Sequence, residues 1–119
     1  MPNDRDPTDS ATIVDLAKGE SQLITADFGP LLNAGETLSS ITSQPAQTGG
    51  TTTLTIGTGA INTGGAVTVD RVSKPVSTVC QYRVTVPSNA TAGENYEVAV
   101  ACTTNASNVR VHKALIRIW

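Results

Sequence analysis

The chain has 119 residues, enough for one domain with its own core but not for two. Only 3% of the residues are aromatic and 15% are charged, so the core must rest on Val, Ile, Leu, Ala and Thr, as in an all-β module with small side chains. A net charge of −2 and a pI near 5.1 leave no basic footprint for nucleic acid, and no apolar run approaches the roughly 20 residues that span a bilayer.

In chain order, "MPNDRDPTDS" comes first, acidic and Pro-containing, without the apolar stretch of a secretory signal. It points to synthesis in the cytoplasm and to an extended N-terminal arm over residues 1–19. Asp4, Asp6 and Asp9 lack the Gly and distal Glu of a calcium loop and read as a charged tail. From residue 20 onward, short β-like runs alternate with turn clusters. "SQLITADF" (21–28) is stopped by Gly29-Pro30, and "LLNAGET" supplies turn residues in Asn33 and Gly35. "TLSSIT" (37–42), "TTTLTIG" (51–57) and "AVTVDRV" (66–72) are the next runs, the last broken by "SKP". Strands over 76–86, near 96–103 and over 109–119 complete the series. About seven strands at turn-bounded intervals predict a single Ig-like antiparallel β-sandwich over residues 20–119. "GTGAINTGG" has no following helix or Lys and is a hairpin region, not a phosphate cradle.

The last three strands can be put in register by alternation. If Val86 faces Tyr96 across an antiparallel pair, then Val84 faces Val98, Tyr82 faces Val100, and Cys80 faces Cys102, all on one side. Placing Ile118 beside Tyr96 then sets Ile116 by Val98, Ala114 by Val100 and His112 by Cys102, with Glu97 meeting Arg117 on the outer face. The three strands form a meander on this reading.

Cys80 and Cys102, the only cysteines, are then a disulfide or a pair of buried thiols. Their facing positions favour a bond, and the absence of an export signal favours reduced thiols. With His112 they would make a Cys–Cys–His cluster, but a structural zinc wants a fourth ligand. A Cys–His nucleophile would need an electropositive, partly exposed thiol, whereas these face Val and Tyr. The residues therefore point to no catalytic site, metal or cofactor.

Several stretches carry a likeness to a known family. Asp27-Phe28, Leu31 or Leu32, and Gly35-Glu36-Thr37-Leu38-Ser39-Ser40 form one block; Thr91-Ala92-Gly93, Tyr96, Val98, Thr103-Thr104 and Ile116–Ile118 form another. In these the chain resembles the small Ig-like structural proteins of tailed bacteriophages, of the fiber-tail adaptor and capsid decoration type. The resemblance spans about residues 20–119. It implies a non-enzymatic virion protein that stabilises the head lattice as a cement or decoration protein, with a tail-associated adaptor as the alternative. The partners it implies are the major capsid protein or other virion proteins, together with further copies in a symmetric homo-oligomer. Docking would then fall to the arm, through Asp4, Arg5, Asp6, Ile13, Val14 and Leu16, and to Trp119, the only Trp and an apt anchor if exposed. A carbohydrate-binding or adhesion module is the weaker reading, because sugar sites want aromatic platforms and both Tyr point into the core.

Overall fold

Strands whose side chains alternate between apolar and polar can bury one face only, and two such sheets stacked face to face satisfy both. The structure, a computed structural model, describes residues 12–69 and 71–119. Its strands are β1 (Thr12–Leu16), β2 (Ser21–Asp27), β3 (Leu38–Gly49), β4 (Thr55–Ile56), β5 (Ala60–Ile61), β6 (Val67–Val69), β7 (Val72–Lys74), β8 (Val79–Thr85), β9 (Asn95–Thr104) and β10 (Val109–Ile118), with a 3-10 turn at Gly29–Leu31. One sheet has the order β1-β10-β9-β3; the other runs β2-β8-β4, with β5 also on β8, and β6–β7 is a separate ribbon. In an immunoglobulin-like sandwich strands B, E and D share one sheet and C, F and G the other. Here β2, β8 and β4 take the first set of places, and β3, β9 and β10 the second. The described residues form an all-β sandwich, as the alternation predicts, but with ten strands where the sequence predicts about seven, and with one parallel pair, β1–β10, in an arrangement otherwise antiparallel.

The core lies between the sheets. Ile24 and Ala26 of β2, and Cys80, Tyr82 and Val84 of β8, face Tyr96, Val98, Val100 and Cys102 of β9 and Ala114, Ile116 and Ile118 of β10. Phe28 and Leu31 close one end.

Three expectations are corrected. First, the sandwich starts before residue 20. Thr12–Leu16 pairs in parallel with β10, from Thr12↔Ala114 to Leu16↔Ile118, and Leu16 is fully buried. The arm cannot extend to residue 19, because Leu16 belongs to the core; residues 1–11 lie outside the described residues. Second, β8 and β9 are not a hairpin. β8 has β2 on one side and β4 and β5 on the other, so the loop after Val86 carries the chain across to the opposite sheet. Alternation is the same for a hairpin and for an arch between sheets, so Cys80 and Cys102 still face each other, now across the core. Third, the β9–β10 register is two residues away from the expected one, with Tyr96↔Ile116, Val98↔Ala114, Val100↔His112 and Cys102↔Arg110. A two-residue slip keeps every side chain on its face. The turn chemistry decides it: Thr104 N donates to Asn108 O at 2.8 Å, and the Thr104 hydroxyl accepts from the N–H groups of Ala106 and Asn108. Glu97 therefore faces Leu115, and Arg117 pairs with Asp15 at 2.7 Å instead.

Two shorter departures belong to the middle of the chain. The run at 66–72 is split into β6 and β7, with Arg71 at φ +68° in the turn between them, and "TTTLTIG" pairs only over Thr55–Ile56.

Since β1 is part of the core, Leu16→Ala is expected to cost about 2–5 kcal/mol of unfolding free energy. Ile13→Ala, on the exposed face of the same strand, is expected to change it by less than about 0.5 kcal/mol. Urea unfolding of both variants distinguishes a core strand from a loosely attached arm.

Candidate functional site

Among the described residues, the two thiols and the imidazole lie in the interior. Cys80 and Cys102 are both fully buried, and neither is in a disulfide. The two thiols share a hydrogen bond across the core; that bond and burial push Cys102 up, out of the range where it ionises near neutral pH, and the same bond draws Cys80 down. His112 is not beside Cys102, whose β10 neighbour is Arg110. Its ring packs against Phe28 with centroids 5.8 Å apart and planes tilted by 47°. Burial lowers the His112 pKa to about 4, against a weaker upward pull from Asp27. Among the described residues, no group of three or more His, Cys, Asp or Glu side chains is arranged to hold a metal ion.

At the end of the sandwich closed by Phe28, Glu36 is a buried carboxylate in the loop between β2 and β3. It accepts from Asn33 N at 2.9 Å, Asn108 Nδ2 at 2.8 Å and the Thr104 hydroxyl at 2.7 Å, and pairs with Arg110 at 3.3 Å. The Asn33 N–H, then Asn108 and Thr104, with Arg110 last, hold its pKa down to about 2 against the opposing effect of burial. This carboxylate ties the β2–β3 loop to the β9–β10 turn. Beside it lies an open groove of about 500 Å³, bounded by Leu32, Pro30 and Val72 and by the Lys74–Asp27 ion pair at 2.9 Å.

The predicted docking residues separate. Asp4, Arg5 and Asp6 lie outside the described residues. Ile13 is 57% exposed, Val14 is half-buried against the core, and Leu16 is fully buried and so unable to meet a partner. Trp119 is 72% exposed, its N–H bonded to Leu16 O at 3.1 Å.

The structure adds residues that sequence reasoning passed over. On the outer face of the β1-β10-β9-β3 sheet, Ile13 lies next to Leu115, and Val111 next to Ala101. Val109 and Val111 are about half exposed. A signal for them exists in "VRVHKALIRIW": both alternating sets of β10 contain large aliphatic residues, and a strand apolar on both faces implies that something covers each. Leu23, Val72 and Val76 are further exposed apolar residues.

In comparisons with known proteins, the chain matches no family model and no curated protein.

Folding keeps His112 neutral, so the unfolded chain takes up a proton near pH 6.5 that the folded chain refuses until about pH 4. Stability is therefore full above pH 6.5 and falls as the pH drops toward 4, by about 3 kcal/mol from this residue. His112→Leu is expected to flatten that limb of the curve, read as the urea midpoint between pH 4 and 7.5. The Glu36 contribution is present above pH 4.5 and is lost as the pH falls toward 2.

Glu36→Ala strands four donors at once and is expected to cost about 3 kcal/mol, with a smaller loss for Glu36→Gln, which keeps one acceptor oxygen. Equilibrium unfolding at pH 7 measures both.

Proposed function

We propose that this chain is a non-enzymatic structural protein of a tailed bacteriophage particle: a cement protein that docks on the head lattice through its N-terminal segment and stands there in symmetric clusters. The observation that carries this reading is the division of labour between inside and outside. Thiols, imidazole and the buried carboxylate all serve the core, while large apolar side chains stand exposed on a pinned scaffold. Exposed apolar residues grouped on one sheet face mark a surface that meets protein. Trp119, at 72% exposure, offers an aromatic anchor of the kind that dominates binding energy at interfaces. The likeness of the turn and strand motifs to Ig-like phage structural proteins supplies the particle.

Residues 1–11 are the docking segment on this reading. Their three Asp and one Arg account for the net charge of −2, so the rest of the chain is neutral in sum. Shells of the major capsid protein are mixed with the full chain, with a chain lacking residues 1–11, and with Val111→Asp and Trp119→Ala, and then pelleted. The truncation leaves β1 intact. The full chain is expected to co-sediment, with at least about a tenfold loss of affinity for the truncated chain and for one or both substitutions. A full chain that stays in the supernatant rules out the head and turns the test to tail components.

A further inference from the structure

We propose that Cys80 and Cys102 are the two halves of a cross-sheet disulfide that forms in the folded chain when it meets a small-molecule disulfide oxidant, with the segment from Gly57 to Ile61 as the way in. The inference is independent of the particle assignment.

Three observations place the pair. The cysteines belong to strands in opposite sheets, β8 and β9, and both sit in the same apolar cluster with no exposure. In a sandwich whose sheets stand about 10 Å apart, two facing side chains bridge the gap only when aimed at each other. The hydrogen bond between the two thiols is that aim.

The third observation concerns access. The cover over Cys80 is thin. Gly59 lies directly on it, so close that a Cβ there would stand 3.0 Å from the Cys80 sulfur, and the backbone of Ala60 hydrogen-bonds to that sulfur. The strand carrying this cover, β5, is two residues long and pairs only as Ala60↔Gln81 and Ile61↔Cys80. Its other ties are Gly57 N to Arg83 O at 2.8 Å, Gly59 N to Gln44 Oε1 at 2.8 Å and Thr63 N to Ile61 O at 2.7 Å, and it ends at Asn62, which is fastened to Thr78, Val79 and Pro75. Opening is therefore confined to the few residues between Gly57 and Asn62, and so short a segment opens at lower cost than the sheets themselves. Opening it uncovers Cys80.

The exchange balances in two steps. The Cys80 thiolate attacks one sulfur of oxidised glutathione, forming a mixed disulfide and releasing one glutathione thiolate. Cys102, released from its hydrogen bond to Cys80 by that step and wetted by the open segment, gives up its proton and attacks the Cys80 sulfur of the mixed disulfide, forming the Cys80–Cys102 bond and expelling the second glutathione. Each released thiolate takes up the proton that its attacker lost, and two electrons pass from the cysteine pair to the oxidant. The new bond closes a loop of roughly twenty residues and joins the two sheets covalently, which lowers the unfolding constant by about a hundredfold.

The test uses the reduced full chain in native buffer at pH 8 with oxidised glutathione, followed by acid quench, intact mass, peptide mapping and a urea midpoint. The expected product has lost two hydrogens, carries a linked pair of peptides containing Cys80 and Cys102, and unfolds at higher urea. Cys102→Ala is expected to stop with one glutathione on Cys80, and Ile61→Ala to oxidise several times faster than the parent chain. Thiols that remain reduced after prolonged exposure, a stable glutathione adduct on the parent chain, or a disulfide that lowers the urea midpoint would each overturn the proposal.

Discussion

Three aromatic side chains are the largest in this core. Phe28, Tyr82 and Tyr96 are fully buried, and around them stand Val, Ile, Leu, Ala and Cys. With so little aromatic volume, the two sheets must interlock closely for the interior to reach normal density. Tyr96 shows how closely. Gly50, just past β3, has φ +106° and lies against the ring, where an added Cβ would come within 2.7 Å of it. Only glycine combines that backbone angle with that approach. The end of β3 is set by the Tyr96 ring, and β3 in turn carries Pro45 over the Gly59 and Cys80 region. The aromatic packing thus fixes the place of the thiols as well as the height of the sandwich.

How much of this was legible in the sequence follows from what period-2 alternation encodes. It encodes the face, so the inner residues of β8, β9 and β10 were readable one by one, and the meeting of Cys80 with Cys102 came with them. It does not encode which neighbour a strand pairs with. The loop after Val86 serves a hairpin as well as an arch, and only the places already filled beside β8 by β2, β4 and β5 select the arch. Nor does it distinguish slips of two, which is why His112 stands opposite Val100 and not Cys102. β1 was hidden for another reason. Five residues next to an acidic stretch give too short a pattern to read, and Leu16 gains its burial only from the parallel pairing with β10. Glu36 was visible only as part of a turn motif; three of its four partners, Thr104, Asn108 and Arg110, lie about seventy residues away around the β9–β10 turn.

Two polar side chains of this protein, one buried and one half-buried, serve as fasteners. Glu36 joins one loop to the β9–β10 turn. Asn62 does similar work nearby, accepting from Thr78 N and Val79 N and donating to the carbonyls of Gly65 and Pro75. Each is satisfied by several bonds, which is what burying a polar group requires. Loops pinned in this way hold a fixed surface, and a fixed surface loses little entropy when a partner settles on it.

The edges of the sheets bear on how another chain can meet this one. β3 is broken by register shifts at several points and contains Pro45, β4 is two residues long, and β1 is five, whereas β2, at the other edge of its sheet, runs seven residues in unbroken register. Short, bulged or Pro-bearing edges resist pairing with another chain's backbone. The blunted edges β1 and β3 leave side chains as the exposed feature of their sheet, on the face bearing Ile13, Val109 and Val111 and at the end bearing Trp119, while β2 is, among the described residues, the long and unbroken edge able to take a strand. Side-chain contact differs from strand addition in what it selects. Backbone pairing accepts almost any extended segment, whereas a face read by a few apolar side chains selects its partner by shape. Blunted edges beside an exposed apolar face thus leave that face to discriminate between neighbours by shape, and β2 is the edge where backbone pairing is still open to another chain.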